Sequence, residues 1–138
     1  MAKMYLTRRE VFSASHRLWN PALSDEQNAG LYDKCANPNG HGHNYILEVT
    51  VAGEVKGESG YAVDFKTLKR LMRTEIIEKV DHKHLNYDVD FLQGIIPTAE
   101  NIVRTFWSVL ASRCGGIELY SMCLHETENN WVEYRGEE

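Results

Sequence analysis

The sequence predicts an α+β domain, with two helices covering one face of a four-stranded antiparallel sheet. Three observations carry that reading. Alternating apolar and polar residues mark the early chain, two apolar stripes of helical spacing mark its middle, and two β-rich stretches close it. The implied order is β-β-α-α-β-β. At 138 residues and 43% hydrophobic composition, residues 1–138 read as one domain with material for a core.

The first strand is read over residues 4–16, where the β-leaning run from Tyr5 to Phe12 ends near Ser15 and His16. From Leu18 to Gly40 the composition turns to Asn, Pro, Gly and Asp. This is a long loop, and a capping-box pattern from Ser24 to Gln27 starts a brief helix in it. Loops of that length in compact domains are usually functional. From Gly42 to Ala52, His43, Tyr45, Leu47, Val49 and Val51 alternate with Asn44, Ile46, Glu48, Thr50 and Ala52, which suits a strand with two unlike faces. GEVKGESG then makes a turn. Asp64 can cap a helix with Phe65, Leu68, Leu71, Met72 and Ile76 on one side, running to about Val80. After the loop DHKHLNYDVDFLQG, Pro97 and Thr98 open a second helix. Its buried stripe is Ile102, Phe106, Val109 and Leu110, and Gly115 and Gly116 mark its end. Strands at about 117–126 and 131–135 follow, joined by a turn through Glu128, Asn129 and Asn130. One sheet face and both edges remain open, so the chain is expected to self-associate by continuing the sheet between copies.

Composition excludes several functions. The net charge of −5 is spread among interspersed acids and bases, without the basic footprint of a nucleic-acid binder. The opening MAKMYLTRRE has no apolar run of signal-peptide type, and no stretch reaches membrane-spanning length, so a cytoplasmic protein without a membrane partner is expected. Cys35, Cys114 and Cys123 are too few for a disulfide framework and read as reduced thiols. Cys114 and Cys123 match no motif and read as packing residues.

His41 and His43 stand two apart in Gly40-His41-Gly42-His43, so on a strand both imidazoles project from one side. His16 shares the parity of Phe12 and Ala14, and a neighbouring strand could bring it alongside them. Three neutral imidazoles with a fourth position open form the usual catalytic zinc arrangement. Taken alone, an H-x-H pair is weak evidence for a metal and reads more readily as solvent-facing or hydrogen-bonded histidines.

Five separated stretches extend the pattern: Phe12-Ser13-Ala14-Ser15-His16-Arg17-Leu18, Cys35 with His41-Gly42-His43-Asn44-Tyr45, Asp81-His82-Lys83 with Leu85, Pro97-Thr98 with Glu100-Asn101, and His125-Glu126-Thr127. In that order they closely resemble the 6-pyruvoyl tetrahydropterin synthase family. The resemblance implies the tunnelling (T-fold) α+β fold, and a trimer or a hexamer of two trimers with active sites between subunits. It implies Zn2+ held by His16, His41 and His43. It also implies a pterin substrate, 7,8-dihydroneopterin triphosphate, which loses triphosphate while protons shift internally and no external reductant is used. Cys35 resembles the family's catalytic cysteine, and Asp81 and His82 resemble the pair that reaches it from a neighbouring subunit. Glu126 resembles the pterin anchor, and Thr98 and Glu100 match substrate-pocket positions.

Residue chemistry alone leaves alternatives open. Cys35 also reads as an unreactive loop thiol or a fourth zinc ligand, and Asp81 and His82 as polar residues after a helix. Glu126 also reads as an exposed acid, Thr98 as an ordinary N-cap and Glu100 as a first-turn acid. A thiol of ordinary pKa, about 8.5, is a poor base near neutrality, so a cation or metal near Cys35 is expected to lower it. No Glu stands beside the histidine pair in an H-E-x-x-H arrangement, which speaks against a zinc hydrolase. Two products fit the resemblance. The five residues between Cys35 and His41 resemble the type that forms 6-pyruvoyl tetrahydropterin, whereas Pro97-Thr98-Ala99-Glu100 resembles the type that forms 6-carboxy tetrahydropterin and acetaldehyde. The pyruvoyl product is expected.

Overall fold

The computed structural model describes residues 2–138. Two long strands, β1 (Lys3–His16) and β2 (His41–Glu54), pair antiparallel along their whole length, from Lys3 opposite Glu54 to His16 opposite His41. Between them run α1 (Asp25–Tyr32) and a 3-10 turn, Asp33–Ala36. The capping box is formed as expected. The Gln27 N–H donates to Ser24 Oγ at 3.1 Å and the Ser24 N–H donates to Gln27 Oε1 at 2.9 Å. Behind it the buried Asn28 amide donates to the carbonyls of Asn20, Leu23 and Ser24, folding the long loop onto itself.

Asp64 caps α2 (Phe65–Met72), accepting the Lys66 N–H at 2.8 Å. The single helix expected here is instead interrupted by a π-helical segment, Arg73–Ile77, before α3 (Glu78–Val80). The wider turn lets Ile76 and Ile77 both stay buried, and Arg73 meets the buried Glu10 at 2.8 Å. Phe65, placed on the apolar side by its spacing, is 52% exposed because it occupies the first turn, ahead of the sheet contact. After α3 come β3 (Lys83–His84), a 3-10 turn at Asp90–Leu92, α4 (Ala99–Ala111), β4 (Glu118–His125) and β5 (Trp131–Tyr134).

The sheet order is β3-β1-β2-β4-β5. This corrects the four-stranded antiparallel expectation: the sheet has five strands and is mixed, because β3 lies parallel to β1 at Ala14 and Ser15. Two residues are too few to show a period, so β3 is recognised by its pairing alone. Its flanks satisfy carbonyls on the β1 edge: His82 N–H donates to Ser13 O at 2.6 Å and Leu85 N–H to Ser15 O at 2.8 Å.

The helices cover one face, where Phe12 stacks on Tyr45 at 4.8 Å and meets Phe106 edge-on at 5.9 Å. The opposite face stays open and exposes Val11. Among the described residues no helix is long and apolar enough to cross a membrane.

Candidate metal and substrate site

At the end of the covered face, register does what parity promised. His16 stands opposite His41, and Ala14 opposite His43. One ring nitrogen from each of His16, His41 and His43 lies within 4.8 Å of the other two. The rings meet edge to face, with centroids 4.7 to 5.0 Å apart. Cys35 is not part of this group.

The hydrogen bonds fix which nitrogens face inward. His16 Nδ1–H donates to the Pro97 carbonyl at 2.7 Å, so its Nε2 presents a lone pair to the cluster. That lone pair lies 3.1 Å from His41 Nε2. Two ring lone pairs that close repel unless a proton or a cation lies between them. His43 Nε2 is buried without any hydrogen-bond partner. Burial holds His16 far below the ordinary imidazole range, at about 4, against the upward pull of the Pro97 carbonyl, and pushes His43 down as well. Burial thus favours the neutral form of His16 and His43, the form that a divalent metal requires.

Beside it opens a pocket of about 390 Å³. Thr98, Glu100 and Glu126 all line it, so the three residues assigned to substrate on sequence grounds come together. Glu126 Oε1 stands 3.9 Å from His43 Nε2, joining the pocket to the cluster. Thr98 Oγ1 accepts the Asn101 N–H at 3.2 Å as the N-cap of α4. Tyr32 and Trp131, which sit in no motif, also line the pocket, as does Leu18, the last residue of the first motif, to which the sequence assigns no role.

Within the chain alone the Cys35 thiol is pushed up, by burial first and then by the negative charges of Glu126 and Asp33, and no cationic side chain offsets them. Within this chain Asp81 and His82 are not among the groups that act on it. Asp81 Oδ1 accepts the Ser13 N–H at 2.9 Å, and its Oδ2 lies 3.0 Å from His82 Nδ1. His82 is exposed, in a groove over the open face lined by Ser13, Ser15, Gly42 and Asn44.

Two further groups at the cluster escaped the sequence reading. The Tyr45 hydroxyl lies 3.3 Å from His16 Nδ1, and burial pushes its pKa up, so it stays protonated. Its parity with His43 along β2 could have flagged it. The Pro97 carbonyl could not have been found, because a backbone acceptor leaves no residue signature.

Comparison with known proteins agrees with the geometry. A family model described as 6-pyruvoyl tetrahydropterin synthase matches residues 5–137. A 6-pyruvoyl tetrahydrobiopterin synthase of Dictyostelium discoideum is 46% identical over 96% of this chain and 96% of its own length. The enzyme of the same description from Pongo abelii is 44% identical over 96% of this chain and 91% of its own. The solved structure of Caenorhabditis elegans 6-pyruvoyl tetrahydropterin synthase superposes with a TM-score of 0.94 at 37% identity, covering 99% of this chain and 98% of that one.

Proposed function

We propose, since the chain belongs to the 6-pyruvoyl tetrahydropterin synthase family, that it converts 7,8-dihydroneopterin triphosphate to 6-pyruvoyl tetrahydropterin with loss of triphosphate. The observation that carries this reading is the junction of three convergent imidazoles with a pocket whose carboxylate, Glu126, stands 3.9 Å from His43. The donor set suits zinc: three imidazole nitrogens, one of them buried and unpartnered, with Cys35 outside the set and a position left for substrate. His16, His41 and His43 would hold the ion, which when bound supplies Lewis-acid polarisation of the substrate's side-chain oxygens and so acidifies the neighbouring C–H bonds.

The chain's own groups do the rest. Glu126 accepts the adjacent 2-amino and N3–H donors of the pterin ring in a bidentate pair, and its nearness to His43 sets the ring beside the cluster. Thr98 keeps its hydroxyl proton free to donate into the pocket, because its oxygen is the acceptor of the helix cap. Glu100 adds an acceptor on the pocket wall. Cys35 removes and returns a carbon-bound proton. A thiol held protonated by burial and by two carboxylates needs a group to take its proton. His82, steadied by Asp81, does this from a neighbouring subunit of a homo-oligomer.

Incubation with 7,8-dihydroneopterin triphosphate followed by mass spectrometry tests the reaction. The pyruvoyl product with inorganic triphosphate is expected, and an unchanged substrate would defeat the reading. A 6-carboxy product with acetaldehyde would favour the second reading, for which Pro97-Thr98-Ala99-Glu100 speaks. Cys35→Ala is expected to cut kcat by about 10²- to 10⁴-fold while zinc stays bound. Loss of zinc together with activity would make Cys35 a ligand and not a base.

A further inference from the structure

The turn that carries Cys35 has little to hold it in place. It is a single 3-10 turn, Asp33–Ala36, entered through Asp33 at φ 51, a left-handed conformation that a residue with a side chain adopts at a cost. Among the described residues its tie to the histidine-bearing end of β1 consists of two hydrogen bonds, both from residues directly after His16. Leu18 N–H donates to the Cys35 carbonyl at 2.8 Å, and Arg17 Nε–H donates to the Ala36 carbonyl at 2.9 Å.

Arg17 is itself fixed on three sides. Its guanidinium lies over the Trp19 ring, 4.0 Å from the centroid. Its backbone is gripped at both polar groups by one side chain: Arg17 N–H donates to Asn86 Oδ1 at 2.8 Å, and Asn86 Nδ2–H donates to the Arg17 carbonyl at 2.8 Å. Asn86 lies just beyond β3, and its own N–H donates to His84 Nδ1 at 3.3 Å. A continuous set of contacts therefore runs from the segment bearing Asp81 and His82, through Asn86 and Arg17, to the peptide beside Cys35.

We infer that Arg17 is a positioning residue for Cys35, a planar clamp that holds the Cys35–Ala36 backbone against the end of β1, with Asn86 holding the clamp. The inference rests on the proposed role of Cys35 as a base. Arg17 acts through position and not through charge: its partners are neutral, and the charges that act on the thiol are those of Glu126 and Asp33. A lysine would keep the charge and lose the planar fork whose Nε is aimed at the carbonyl.

The test uses the full chain with Arg17→Lys and, as the harsher variant, Arg17→Ala. Carbamidomethylation of each cysteine is followed by peptide mass spectrometry, and kcat and KM are measured alongside. A released turn swings its partly buried thiol into water, where the pKa falls back toward its ordinary value. Cys35 in Arg17→Lys is therefore expected to react about 10-fold faster than in the parent, with Cys114 and Cys123 unchanged as internal controls. Bound zinc should be unchanged, kcat should fall about 10-fold or more, and KM should stay within about threefold. An unchanged Cys35 rate overturns the inference. So does faster reaction at all three cysteines, which would report general loosening. A raised KM with unchanged kcat overturns it too, making Arg17 a substrate anchor. If Arg17→Ala fails to fold, Arg17→Lys decides. If the parent protein does not turn over the pterin triphosphate, the functional reading has failed by itself, and the alkylation rates still decide the clamp.

Discussion

Among the three histidines, His16 is the most deeply committed to the interior, at 1% exposure, with Nδ1 bonded to Pro97 and Nε2 turned to the cluster. Its pKa is lowered from 6.5 to about 4, with burial as the leading cause. The sign of the resulting pH dependence follows. Between those two values the unfolded chain binds a proton that the folded chain refuses, so stability rises with pH across that window and is lost as pH falls from about 6.5 toward 4. A shift of this size corresponds to roughly 3 kcal/mol. Metal-stripped protein is therefore expected to unfold at lower urea on passing from pH 7.5 to pH 4.5, with His16→Asn losing much less across the same interval. Equal losses in parent and variant would place the pH dependence elsewhere. At this scale the sequence was informative wherever a side chain carried the chemistry. Parity alone put His16, His41 and His43 on one face, but a spacing rule has no access to the charges around a thiol. Hence the motif singles out Cys35, while the Glu126 and Asp33 charges that raise its pKa within the chain leave no mark in the spacing.

The same division holds for the elements. β1 and β2 are legible because an alternating pattern over 14 residues leaves one register that buries Tyr45, Leu47 and Val49 together. α1 is legible from a capping box whose two hydrogen bonds are both made. β3 is not, because two residues have no period. The π-helical segment is not either, because Ile76 and Ile77 together suit a helix as an unbroken apolar run and only tertiary packing selects the wider turn. The turn into β2 holds a further consequence. Gly40 has φ +71, and a methyl group there would lie 2.7 Å from the His16 carbonyl oxygen. Gly40→Ala would therefore strain the backbone and push apart the two strand ends that bear His16 and His41, at a cost of about 1–3 kcal/mol. A lowered Tm and zinc bound well below one equivalent per chain are expected. Calorimetry with metal analysis measures both, and full zinc occupancy would show that the strand ends tolerate the shift.

For the molecule as a whole, the covered face was legible and the use of the open one was only implied. Helices over one face follow from two apolar stripes, whereas the open face carries mixed residues: Thr7 bonded to Thr50, Glu48 bonded to His125, and the exposed Val11. The separation of Asp81 and His82 from Cys35 within one protomer makes this a functional question. If the site forms between copies, neither Cys35→Ala nor His82→Ala homo-oligomers can turn over substrate. A mixed oligomer contains some junctions where an intact Cys35 of one subunit meets an intact Asp81 and His82 of the next. Random mixing of the two inactive variants in equal amounts leaves both halves intact at about one junction in four, so activity near one quarter of the parent's is expected after co-refolding. The species responsible should have a mass that is a multiple of 15.9 kDa by analytical ultracentrifugation. Simple addition of the folded homo-oligomers should restore activity only as fast as subunits exchange. An inactive mixture containing both variants in one oligomer would mean that the proton-handling groups of a site come from a single chain. Cys35 would then need a base other than His82, and the first candidate would be Glu126, whose charge already acts on the thiol within one chain.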